Sequence, residues 1–198
     1  MRRRESKIAV LILASFAVVA IIGYAAGRAG MTKEELIAQI QKNWDEIWVK
    51  GNLDAMDEAS GLLATSYTAD AVIHEPQGSD TDPGALKKSF AWFRRQFSDT
   101  RVMVDDVITE GDRMVIQYTV NFTLKGPSNV MRYSFQNLKT GESQSVSFPV
   151  SMGTKLSFKG CGVLHLVDGK IAEEWGYSDS VALLQQAGIA FKSEWLEQ

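Results

Sequence analysis

The chain has 198 residues, 45% of them hydrophobic and 23% charged, with 21 Lys and Arg against 24 Asp and Glu for a net charge of −3. That length suits one globular domain with a sizeable core, a single cysteine excludes an intrachain disulfide framework, and two histidines leave no ligand pair at the spacing of a zinc site. Five of the basic residues and one acid lie in residues 1–30, so residues 31–198 carry 16 basic and 23 acidic side chains, a net −7 that argues against a nucleic-acid partner.

Ile8 to Ala26 is a run of 19 residues without a charge. As a helix it would be about 28 Å long, close to the hydrocarbon thickness of a bilayer. Arg2, Arg3, Arg4 and Lys7 precede it, and basic flanks stay in the cytoplasm. The sequence therefore predicts a membrane anchor within residues 1–30. The domain at 31–198 is then carried across, to the periplasm or cell surface of a bacterium or to a lumen. A cleaved signal peptide with cutting near Ala25-Ala26-Gly27 stays open as the alternative, although signal apolar regions are usually shorter. Either route leaves Cys161 in an oxidising compartment with no partner to mispair with.

Thr32-Lys33-Glu34-Glu35 reads as a capping box, and Leu36, Ile37, Ile40, Trp44, Ile47 and Trp48 recur at helical spacing until Gly51-Asn52. A second helical stretch is expected from Leu53 to Ser66, with Gly61 inside it. Val72-Ile73-His74 suggests a short strand ended by Pro76. Asp82-Pro83 then supplies an N-cap and first-turn proline for a helix whose apolar face holds Leu86, Phe90, Phe93 and Phe97. Beyond it the period changes to two. Strands are expected at Val102–Ile108, Met114–Leu124, Lys155–Val167 and Ile171–Tyr177, with turns at Glu110-Gly111-Asp112 and Asp168-Gly169. The polar stretch 127–149 reads as an extra hairpin around Thr140-Gly141 or as a loop. A closing helix runs from Ser180 to Ala187 and stops at Gly188. Helices followed by a curved antiparallel sheet define an α+β domain, and helices over one sheet face leave room for an apolar pocket.

The line from Val163 to Asp179, VLHLVDGKIAEEWGYSD, followed by Leu183-Leu184-Gln185-Gln186-Ala187-Gly188, resembles the C-terminal signature of the SnoaL-like polyketide cyclases of the nuclear-transport-factor-2-like superfamily. Tyr67 to Pro76, Gly84 and Glu110-Gly111-Asp112 agree with it, and the resemblance spans residues 33–188. It implies a cone-shaped sheet enclosing a pocket, no metal or organic cofactor, and a carboxylate as acid/base in ring closure. The family's aspartate falls on Asp179 and its partner histidine, fourteen residues upstream, on His165. Two departures stand out: Leu124-Lys125-Gly126 replaces a His-x-Gly sequence, and 127–149 is longer than the family connection, which remodels the pocket mouth. The fold also often pairs through its exposed sheet face, so a homodimer is expected.

Asp179 among Trp175, Tyr177 and Leu183 would lose hydration and gain basicity; equally, Asp before a helix is a preferred N-cap. His165 meets Asp179 only in one register. A two-residue Asp168-Gly169 turn pairs it with Ala172, on the face opposite Trp175, while a three-residue loop pairs it with Ile171, on the Trp175 face. His74 reads as a pocket-mouth residue or the holder of a turn. Trp44, Trp48, Tyr67, Trp92, Phe93 and Tyr118, with Trp175, are candidate walls for a small hydrophobic ring compound, two or three of them touching it and the rest core. Tyr118 is the favoured hydroxyl donor, and Cys161 reads as a small buried hydrophobe. Three functions remain open: a cofactor-free enzyme of cyclase or isomerase type, a tethered binding module without chemistry, and a bitopic assembly protein of the kind found in type IV secretion systems.

Overall fold

The computed structural model describes residues 31–56, 61–74, 80–125, 130–136, 140 and 142–188. The apolar run Ile8–Ala26, expected as a membrane helix, lies outside them, as does Pro76. Among the described residues no helix is long and apolar enough to cross a membrane.

Helix α1 (Lys33–Trp44) opens on the expected capping box: the Glu35 amide donates to Thr32 Oγ1 at 3.2 Å and the Thr32 amide to Glu35 Oε2 at 2.8 Å. The helix widens into a π turn at Asp45–Val49, which keeps Ile47 and Trp48 on the buried side with Leu36, Ile40 and Trp44. Gly51, at φ +72°, ends it. The single helix expected over Leu53–Ser66 is instead a 3₁₀ turn at Leu53–Met56 and a short helix α2 at Leu62–Ser66, with Gly61 in extended conformation as the N-cap of α2. Strand β1 (Tyr67–His74) is longer than the three residues expected and is followed by the two-residue β2 (Asp80–Thr81). Helix α3 (Pro83–Gln96) starts as read, with the Asp82 carboxylate accepting from the Ala85 amide.

Four long strands follow: β3 (Phe97–Glu110), β4 (Arg113–Leu124), β7 (Lys155–Val167) and β8 (Lys170–Ser178). The stretch 127–149 does hold a hairpin, β5 (Val130–Gln136) with β6 (Ser143–Pro149), which among the described residues pairs only with itself. Helix α4 (Ser180–Gln186) closes the described chain. The main sheet runs β2-β1-β8-β7-β4-β3. It is mixed rather than wholly antiparallel, as expected from sequence, because β1 lies parallel to β8. Such a parallel pair is joined through the whole intervening chain, so no local turn signal announces it.

One sheet face packs against α1 and α3. Trp44 meets Tyr118 edge-on with centroids 5.9 Å apart, Trp48 lies 4.2 Å from Phe90, and Phe93, Phe97 and Phe122 stack within 5.5 Å of one another. Two glutamines close open strand edges. Gln41 of α1 donates to the Val102 carbonyl at 2.8 Å and accepts from the Val104 amide at 2.9 Å, and Gln186 of α4 makes the same pair of bonds to both backbone groups of Ser157. Each side-chain amide stands in for a missing strand.

Candidate active site

The hairpin joining β7 to β8 decides which side chains face inward. Asp168 and Gly169, at φ +49° and +75°, form a two-residue turn that pairs Val167 with Lys170 and Leu166 with Ile171. One further residue then bulges from β8, so His165 pairs with Glu173, not with either Ala172 or Ile171 as the two sequence registers had it. The bulge brings Glu174 onto the same inward face as Ile171, between Leu164 of β7 and Ile73 of β1. Glu174 is 0% exposed, and the Tyr67 hydroxyl donates to its Oε2 at 2.5 Å. Burial, then the neighbouring Glu174 charge and the hydrogen bond to it, hold the Tyr67 phenol well above its usual range, so it remains a proton donor. Helix α2 precedes Tyr67 and is fastened to the start of β8 by a Lys170 Nζ bond to the Ala64 carbonyl. This buried acid–phenol pair was not singled out in the sequence.

The expected acid/base pair is not brought together. Asp179 is an exposed N-cap of α4, its carboxylate accepting from the Ala182 amide at 2.9 Å. His165 stands on the outer sheet face at the other end of β8, with Nε2 3.2 Å from Asp112 and Nδ1 3.8 Å from Glu173. Glu173 and Asp179 are six residues apart along an extended strand, so the two expected partners are separated by about 20 Å. Trp175 and His74 also lie outside the concave side. Their rings stack at 4.8 Å on the outer face, with the Arg113 guanidinium 5.8 Å from the Trp175 ring. Cys161 is half-buried on that face, and burial pushes its thiol up.

Trp44, Trp48, Tyr67, Phe93 and Tyr118 do line the concave side, all of them buried, while Trp92 is half-buried against the same core. The Tyr118 oxygen stands 3.5 Å from the Tyr177 carbonyl. An open cleft of about 550 Å³ lies at the opposite end of the sheet from Glu174, among Asp99, Asn121, Thr123, Lys155, Ser157 and Gln186. Among the described residues no three His, Cys, Asp or Glu side chains converge as a metal ion would require.

The sequence profile of the SnoaL-like polyketide cyclases matches residues 38–187. No curated protein matches the chain. Among solved structures the chain is similar to TsrD of Streptomyces laurentii, at 18% identity and TM-score 0.54 over 77% of this chain and 94% of that one. A polyketide cyclase assignment from Acidithiobacillus ferrooxidans matches at 20% identity and TM-score 0.52, over 81% and 97% of the two chains. Another from Bacillus cereus matches at 20% and 0.50, over 80% and 85%. The matched profile contains every strand of the sheet, and the chain belongs to the SnoaL-like polyketide cyclase family, with the nuclear-transport-factor-2-like fold.

Proposed function

We propose that the domain binds a small hydrophobic ring compound on its concave side and moves protons on it without a cofactor, as a cyclase or isomerase does. The observation that carries this reading is the family match over residues 38–187, which takes in the aromatic side chains packed beneath the helices. Such side chains suit a flat apolar ligand and suit a charged one poorly. A second reading, a binding module without chemistry, is favoured by one observation: Asp179 and His165 are not assembled into a pair. The full-length chain, purified in mild detergent, separates the two. Bicyclic aromatic ketones that quench the buried tryptophans and are also converted support the enzyme; quenching without conversion supports the module. Absence of both would sink each reading.

The domain is further proposed to be tethered outside the cytoplasm, as a homodimer. The uncharged run Ile8–Ala26 behind four basic residues supports the tether. A fusion of alkaline phosphatase to the C-terminus tests it, since that enzyme is active only after export. An inactive fusion would place the domain in the cytoplasm.

A further inference from the structure

We infer that Glu174 is the catalytic base of this domain and Tyr67 the hydrogen-bond donor that works with it, acting on the carbon beside the carbonyl of a hydrophobic ring ketone. The inference rests on the small-molecule reading above and deepens it.

The geometry points there for three reasons. A carboxylate with no exposure is held out of water, set between Leu164 and Ile73 on the inward face. Placing it there costs stability that an apolar residue would not, and such positions are where functional groups concentrate. Tyr67 lies within hydrogen-bond reach on a different strand, so donor and base are held from two independent elements, β1 and β8. Asp179, by contrast, is exposed and spends its carboxylate on a helix end.

The step balances within the protein. Glu174 takes the α-proton, the C–H electron pair becomes the C=C bond of an enolate, and the carbonyl π pair moves to oxygen. The Tyr67 hydroxyl turns from the carboxylate to that oxygen and stabilises the charge. Returning the proton to the same carbon restores the ketone, while attack of the enolate carbon on a second carbonyl closes a ring: that carbonyl's π pair moves to its oxygen, and the resulting alkoxide takes the proton back from Glu174. Neither side chain is exposed, so the ketone reaches them only when the covering layer opens. Helix α2, five residues long, packs on both β1 and β8 and is part of that covering layer.

The test is deuterium exchange into the α-positions of β-tetralone, with the full-length chain in detergent and D₂O. Exchange is followed by NMR and binding by tryptophan quenching. The wild type should accelerate exchange above the detergent background. Glu174→Gln should lose about a hundredfold or more of that acceleration, and Tyr67→Phe at least about tenfold, while Asp179→Asn stays within about twofold. The wild-type rate should rise with pH through one ionisation that Glu174→Gln lacks, a signature that a merely structural residue would not give. Where Glu174→Gln fails to fold, Glu174→Asp keeps the charge and draws it back; slowed exchange in a folded Asp variant supports the assignment, and unchanged exchange overturns it. Exchange retained by Glu174→Gln, or abolished by Asp179→Asn, also overturns it. Binding without wild-type exchange removes the catalytic pair and leaves the binding reading standing, whereas no binding removes both.

Discussion

Tyr118 and Gly160 face each other across β4 and β7, and a Cβ placed on Gly160 would stand 2.5 Å from the Tyr118 ring. The ring has little space to retreat into, because Trp44 meets it edge-on at 5.9 Å and it is 1% exposed. Gly160→Ala should therefore destabilise the domain by about 1–3 kcal/mol, the usual consequence of overpacking a closed core. Equilibrium urea unfolding measures it. In a Tyr118→Leu background the same substitution should cost less than the sum of the two single changes, since the clash has been removed. Asp179 makes a second residue-scale case. Its carboxylate accepts from the Ala182 amide, so Asp179→Ala should cost about 1 kcal/mol while Asp179→Asn, also a good cap, costs only a few tenths. Equal losses from both variants would mean that the charge matters and the cap does not.

At the scale of elements, α1 is bound to the sheet edge by side chains rather than by packing alone. Gln41 gives both its donor and its acceptor to β3, so Gln41→Leu should cost about 1–2 kcal/mol by leaving the Val102 carbonyl and Val104 amide without that partner. Gln41→Glu keeps the acceptor and loses the donor when ionised, and its loss should shrink on acidification. Lys33 at the start of α1 pairs with Asp106 of β3 and holds that carboxyl below its usual range. A depressed folded value means that the pairing contributes above the unfolded value and is lost as pH falls through the folded one. An NMR titration should find the Asp106 midpoint below that of an ordinary aspartate in the wild type and returned towards it in Lys33→Ala. These elements also show what the sequence could reveal. The Thr32–Glu35 box, Asp82-Pro83 and the Asp168-Gly169 turn each depend on a few adjacent residues and were readable. The inward positions of Trp44, Trp48, Phe93 and Tyr118 followed from periodicity. The β1–β8 pairing was hidden because its partners lie far apart in the chain; Tyr67 and Glu174 are separated by 107 positions. The bulge beyond Ile171 was hidden because its geometry is set by the neighbouring strands, and that one extra residue sends Glu174 inward and His165 outward with Trp175.

For the whole molecule, the sheet face that the described helices leave uncovered carries an apolar stripe. Ile108, Val115, Val163 and Trp175 stand side by side across β3, β4, β7 and β8, and Tyr177 is the next residue of β8 on the same face. Ile108 is 52% exposed and Tyr177 50%, so this stripe is apolar surface in contact with water. Its ends differ in charge. Glu110, Asp112 and Glu173 outnumber Arg113 at one end, whereas at the other Arg101, Lys155 and Lys159 are matched by Asp99, Asp105 and Asp179. A two-fold partner laid antiparallel on this face would set each acidic end against the end that carries Arg101, Lys155 and Lys159, around an apolar centre, the usual anatomy of an isologous interface. The homodimer proposed above would use this face. Ile108→Glu should convert it to monomer without altering the circular dichroism of the fold, because the side chain is absent from the core. Arg101→Glu should weaken association less, and raising the salt concentration should reduce its effect, since rim charges are screened. Sedimentation equilibrium of the full-length chain in density-matched detergent reads both. A wild type that stays monomeric at micromolar concentration would remove the dimer, and the exposed stripe would then have to face something other than a second copy.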